Sequence, residues 1–74
     1  MQIGALYLRA MDSALAQALE ILGGEREVAR VAGVTRQAVA KWKRIPPPRV
    51  IAIEKATGIP REMIRPDIYP PDQR

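Results

Sequence analysis

The sequence predicts a single all-α domain of four or five short helices, and three observations carry that expectation. Apolar residues recur at helical spacing, as at Leu15, Ala18, Leu19 and Leu22, which is the period of a helix with one buried stripe. Gly23-Gly24, Gly33, Gly58 and seven prolines, all of them after Ile45, punctuate the chain between such stretches. Outside the first nine positions no alternation of four or more β-favouring residues occurs, so a sheet has little support. A chain of 74 residues hides only about 60 to 65% of its unfolded surface, which allows one small core and no elaborate cleft.

Each element follows from local chemistry. Asp12 caps a first helix whose inward residues are Leu15, Ala18, Leu19 and Leu22, and Gly23-Gly24 supplies its left-handed stop. A second helix starts at Glu25, where Glu25 and Glu27 suit the positive N-terminal end; it buries Val28, Ala29 and Ala32 and stops at Gly33. Thr35 caps a third helix, residues 36 to 43 or 44, with Val39 and Trp42 inward and Val34 placed to staple onto Val39. Pro46-Pro47-Pro48 is a connection and then a helix start, so a fourth helix covers residues 48–57 and buries Val50, Ile53 and Ala56 before Gly58, with Ile59 packing back. A short fifth turn, residues 60–65, adds Met63 and Ile64 to the core and ends at Pro66. The domain therefore spans residues 12–66, preceded by an N-terminal extension, residues 1–11, and followed by an extended C-terminal tail, residues 67–74.

Absent residue types remove whole classes of chemistry. With no Cys and no His there is no disulfide frame, no Cys/His zinc site, no thiolate nucleophile and no imidazole base. Asp12, Glu20, Glu54 and Asp67 are scattered over helix surfaces and ends, and no nucleophile-base pair or phosphate-cradling glycine loop can be assembled from the rest. The expectation is a protein that is not an enzyme, with no catalytic residues, no cofactor and no metal. No apolar run reaches the roughly 18 to 20 residues that cross a bilayer, and the first residues lack the basic region of a signal peptide. A cytoplasmic protein without a membrane partner is expected.

Charge is the informative quantity. Residues 30 to 49 contain Arg30, Arg36, Lys41, Lys43, Arg44 and Arg49 and no acid. That segment carries +6 while the whole chain nets +4, so everything else nets −2. The excess coincides with the second and third helices and the turn between them. Two short helices joined by a three-residue turn must cross steeply and closely, which needs a small contact residue, a glycine in the turn and apolar residues facing the core. Ala29, Gly33 and the set Val28, Ala32, Val34, Val39 and Trp42 meet these demands. Together with the acid-free basic run they point to a DNA-binding helix-turn-helix.

The stretch from Val28 through Ala29, Ala32, Gly33, Val34, Thr35, Gln37 and Val39 to Trp42 resembles the helix-turn-helix of phage Cro and CI-type repressors. The later Ile53-Glu54-Lys55-Ala56-Thr57-Gly58 and Arg65-Pro66-Asp67-Ile68-Tyr69-Pro70 resemble small prophage Cro-like regulators of the YdaS type. The resemblance covers roughly residues 12–70. It implies a lambda repressor-like fold, operator DNA as partner, commonly bound as a dimer, and regulation of prophage genes; some such proteins are described as antitoxins.

At 100° per residue Val39 and Trp42 define the buried side of the third helix, which turns Gln37, Ala40, Lys41 and Arg44 outward with Arg36 in the exposed first turn. Arg and Lys suit guanine O6 and N7, Gln suits adenine N6 and N7, and Ala suits a thymine methyl. Arg36, Gln37, Ala40 and Lys41 are thus the expected base-contacting residues of a major-groove helix. Arg26, Thr35, Lys43, Arg44 and Arg49, with the N-terminal amides of the second helix, are the expected phosphate contacts; Glu25, an acid, opposes phosphate there. One such module covers only about 600 to 1,000 Å² on DNA, so a homodimer, at least on DNA, is expected. The competing class is an antitoxin or other interaction module whose Ile68-Tyr69 tail or N-terminal segment grips a toxin partner. That apolar pair covers either the first helix or a second subunit. RNA binding ranks third, because the basic helix has no aromatic stacking platform beside it.

Overall fold

A computed structural model describes residues 12–71. Five α-helices and one 3₁₀ turn follow in order among them: α1 Ser13–Leu22, α2 Glu25–Ala32, α3 Arg36–Lys41, the 3₁₀ turn Pro47–Arg49, α4 Val50–Thr57 and α5 Arg61–Ile64. No strand occurs among the described residues, so the all-α expectation holds. The N-terminal extension expected at residues 1–11 lies outside them, as do residues 72–74.

The helix starts and stops are the ones local chemistry dictates. The Leu15 amide donates to Asp12 Oδ1 at 3.0 Å, which satisfies one of the first-turn donors of α1 that have no partner inside the helix. At the other end the Gly23 and Gly24 amides donate to the Leu19 carbonyl at 3.0 and 2.8 Å. In α4 the Thr57 hydroxyl donates to the Ile53 carbonyl at 2.7 Å and accepts from the Ile59 amide at 3.1 Å. That double use folds the chain back after the helix and seats Ile59 in the core.

Around Leu15, Val28, Ile45, Val50, Ile53 and Ile64, each at most 1% exposed, the core gathers Ala14, Ala18, Leu19, Ala29, Ala32, Val39 and Ile59. α1, α2 and α4 pack on one another, α5 closes the bundle against α4 and α1, and α3 has α2 as its one extensive helix partner. The bundle is therefore a base from which α3 projects.

Several expectations need correction. Leu22 is only half-buried. Ala56 is exposed: with Val50 and Ile53 inward, the same face continues at half-buried Thr57, and Ala56 falls about 90° away. Met63 is 60% exposed, because Ile64 and Arg65 take the inward positions next to it. The tail does not run extended from Asp67; residues 66–69 form a turn in which the Ile68 and Tyr69 amides both donate to the Arg65 carbonyl, at 3.1 and 2.9 Å. This turn lays Tyr69 against the chain's own core, with Arg61 5.7 Å from its ring centroid.

The turn is held by an arginine that is buried, 9% exposed. Arg65 donates from Nη1 to the Ile45 carbonyl at 3.0 Å, and from Nε and Nη2 to Asp67 Oδ1 and Oδ2 at 3.0 and 2.7 Å. A planar guanidinium can serve a carboxylate with two parallel bonds and still reach a carbonyl with its third nitrogen. The hydrogen bond from Arg65 holds the Asp67 carboxyl at about 2, below its ordinary 3.8.

Two outcomes follow for stability. Since the folded-state value is the depressed one, the Asp67 contribution is complete well above pH 3.8 and is lost as the pH falls through about 2. Urea unfolding along the acid limb should therefore show wild type losing stability in that window and Asp67→Asn losing less. Arg65→Leu should cost about 1 to 3 kcal/mol at neutral pH, because it strands the buried Ile45 carbonyl and removes the charge-assisted bonds to Asp67; an unchanged urea midpoint would contradict the clamp.

Candidate nucleic-acid interface

The site is built on the turn between α2 and α3. Gly33 takes φ 73°, in the left-handed region, and its amide donates to the Ala29 carbonyl, as does the Val34 amide at 3.0 Å. An ideal Cβ added at Gly33 would meet nothing closer than Arg49 Nη1 at 3.9 Å. The demand for glycine is thus one of backbone conformation, not of space. Thr35 then restarts the helix, its Oγ1 accepting from the Ala38 amide at 3.1 Å. Val28, Ala29 and Ala32 of α2 face inward, and Val39 is the one buried residue of α3, with Val34 and Trp42 half-buried against the same core.

α3 is shorter than expected: it ends at Lys41, and Trp42 is already extended at φ −69°, ψ 139°. The cause lies downstream. Ile45 is fully buried, and because it precedes Pro46 it is disfavoured in helical conformation. The chain must leave the helix early to bring Ile45 inward. The Asp12 amide marks the path by donating to the Lys43 carbonyl at 2.8 Å. Lys43 and Arg44 consequently belong to a bend after the helix, not to its last turn.

The expected contact residues divide cleanly. Arg36, Gln37, Ala40 and Lys41 are all exposed and form two pairs four positions apart, Arg36 with Ala40 and Gln37 with Lys41, with Gln37 and Ala40 three apart, which puts them on one continuous surface of α3. Thr35, Lys43 and Arg44 are exposed at its two ends. Arg49, from the 3₁₀ turn, is half-buried and brings its guanidinium to the Gly33 turn. Arg26 is exposed in the first turn of α2, beside Glu25.

Pairing sorts the six cations of the basic segment. Arg30 is engaged by Glu27 one turn back, Nη2 to Oε1 at 2.9 Å. Arg44 faces Asp67, Nη1 to Oδ2 at 3.6 Å. Among the described residues no carboxylate pairs with Arg36, Lys41, Lys43 or Arg49. The surface of α3 that carries Arg36, Gln37 and Lys41 is therefore, among the described residues, exposed and uncompensated, a surface suited to a polyanion.

Sequence reasoning missed three residues here. Ile45 stood alone between cations and prolines, and its burial depends on a carbonyl partner twenty residues away, Arg65. Arg65 and Asp67 form a local pair across Pro66 that the spacing alone allowed but did not demand.

These features define a small all-α helix-turn-helix protein with a cationic, exposed third helix. The chain belongs to the family described as bacterial toxin YdaS, which matches residues 15–73. No curated protein and no solved structure matches it. Among the described residues no helix is long and apolar enough to cross a membrane.

Replacing Gly33 by Ala should lower stability by about 1 to 2 kcal/mol, the cost of a Cβ in left-handed backbone. Asn at the same position should recover part of that loss, since its side chain tolerates this region. Thermal melts of the three proteins decide it, and equal midpoints would show that the turn does not constrain α3.

Proposed function

We propose that the chain is a sequence-specific DNA-binding transcriptional regulator, a prophage Cro-like repressor that binds operator DNA as a dimer. The observation that carries this reading is the uncovered surface of α3, where Arg36, Gln37, Ala40 and Lys41 are exposed together and no described carboxylate neutralises the two cations. A single α-helix fits the major groove, where base edges present the acceptors and donors that these side chains match. Arg36 and Lys41 donate to guanine, Gln37 pairs with adenine, and Ala40 lies against a thymine methyl. Lys43, Arg44, Arg49, Thr35 and Arg26 hold phosphates and set the register. Two copies on a pseudo-palindrome supply the contact area that one small module lacks, and repression follows from occlusion of the promoter.

The family's description as a toxin favours a second reading, a component of a toxin–antitoxin pair that acts through a protein partner. A stoichiometric protein complex together with no salt-sensitive shift of any duplex would select it.

The division of roles is testable by anisotropy titration. Gln37→Ala should relax preference at one base pair by about 1 to 3 kcal/mol while leaving random DNA little changed. Lys43→Ala should weaken every duplex alike and flatten the salt dependence by about one unit. Equal losses on operator and random DNA for both variants would refute the assignment.

A further inference from the structure

Arg44 is set apart from the other exposed cations at the ends of α3 by the acid in front of it. Asp67 Oδ2 stands 3.6 Å from Arg44 Nη1 and 2.7 Å from Arg65 Nη2. The two partners are unequal. Arg65 is buried and grips both carboxylate oxygens, whereas the Arg44 side chain is 57% exposed, and a separation of 3.6 Å is too long for a hydrogen bond. Asp67 is thus fixed from behind and offers Arg44 attraction without saturating its donors. Asp12, whose charge also acts on Arg65, is engaged in capping α1.

A carboxylate held in this way occupies the role that a DNA phosphate would take. Arginine binds both with the same planar fork, and phosphate offers the bidentate geometry that Asp67 withholds from Arg44. We propose that Asp67 is an internal competitor for phosphate, holding Arg44 beside α3 and so restraining sequence-independent binding to a duplex; this rests on the DNA-binding reading above. When a duplex docks, Arg44 exchanges Asp67 for a phosphate and Asp67 stays behind with Arg65. Because Asp67 is ionised at all but extreme acidity, the restraint is permanent and not a pH switch. It acts alike on every sequence, since a phosphate contact carries no base information.

The test uses the full chain and a mixed-sequence duplex, titrated over a range of salt. Asp67→Asn should tighten binding about two- to fivefold, the range open to an exposed ion pair, and steepen the salt dependence by up to about one unit. Arg44→Gln should cost less affinity than Lys43→Gln in the wild-type background, and the two should become equal once Asp67 is Asn. The first half of this comparison, Arg44→Gln against Lys43→Gln, keeps Asp67 and its clamp intact, so it reads out even if Asp67→Asn is less stable. A purely structural role for Asp67 predicts the opposite, weaker binding by Asp67→Asn. Wild-type binding with no gain in Asp67→Asn, or with the same gain when Arg44 is already Ala, overturns this inference alone. No salt-sensitive binding of any duplex by wild type overturns the DNA-binding reading and this inference with it.

Discussion

A helix of six residues cannot hold itself in place. Isolated helices of that length are unstable in water, and α3 buries a single residue, Val39, against its one extensive helix partner, α2. Its orientation therefore depends on how its two ends are tied. At the start, Gly33 in left-handed backbone and the Thr35 cap fix the turn from α2. At the finish, half-buried Trp42 and then fully buried Ile45 draw the chain back into the core. Because the ends carry the constraint, the surface between them is free of packing duties, and it is there that Arg36, Gln37 and Lys41 stand.

The tie at the finish is as much polar as apolar. Ile45 brings its carbonyl into the interior with it, and a buried carbonyl without a donor costs about as much as a lost hydrogen bond. Arg65 supplies the donor, Asp67 compensates Arg65, and the Asp12 amide secures Lys43 from the side of α1. The C-terminal turn, which looks peripheral along the chain, is in this way part of what aims α3. The same network sorts charge: acids are spent on Arg30, Arg44, Arg61 and Arg65, while the cations on α3 itself are left without a described partner.

What the residues revealed unaided was the local part of this design. Asp12, Gly23, Gly33, Thr35 and Gly58 are strong punctuation, and each marks an element boundary within a residue of the position expected. The exposed set on α3 was legible because Val39 and Trp42, three positions apart, set the rotation of so short a helix, even though Trp42 lies just past its end. Where expectation failed, a non-local demand had overridden a local pattern. α3 lost its last two or three residues to the burial of Ile45, Met63 ceded the inward position to Ile64 and Arg65, and the tail turned back because Asp67 is bonded to Arg65, which in turn reaches the Ile45 carbonyl. None of these follows from periodicity, and the early end of α3 and the anchoring of Arg65 depend on the Ile45 carbonyl twenty residues away.

On the proposed function, the open side of α3 distinguishes one duplex sequence from another. Selecting bound duplexes from a randomised pool tests this most directly, because it reports discrimination and half-site geometry together. If α3 does so, a short motif repeated with two-fold symmetry should be enriched, at a spacing near one helical turn or a multiple of it. A pool that stays random through successive rounds, while the protein remains folded, would contradict it.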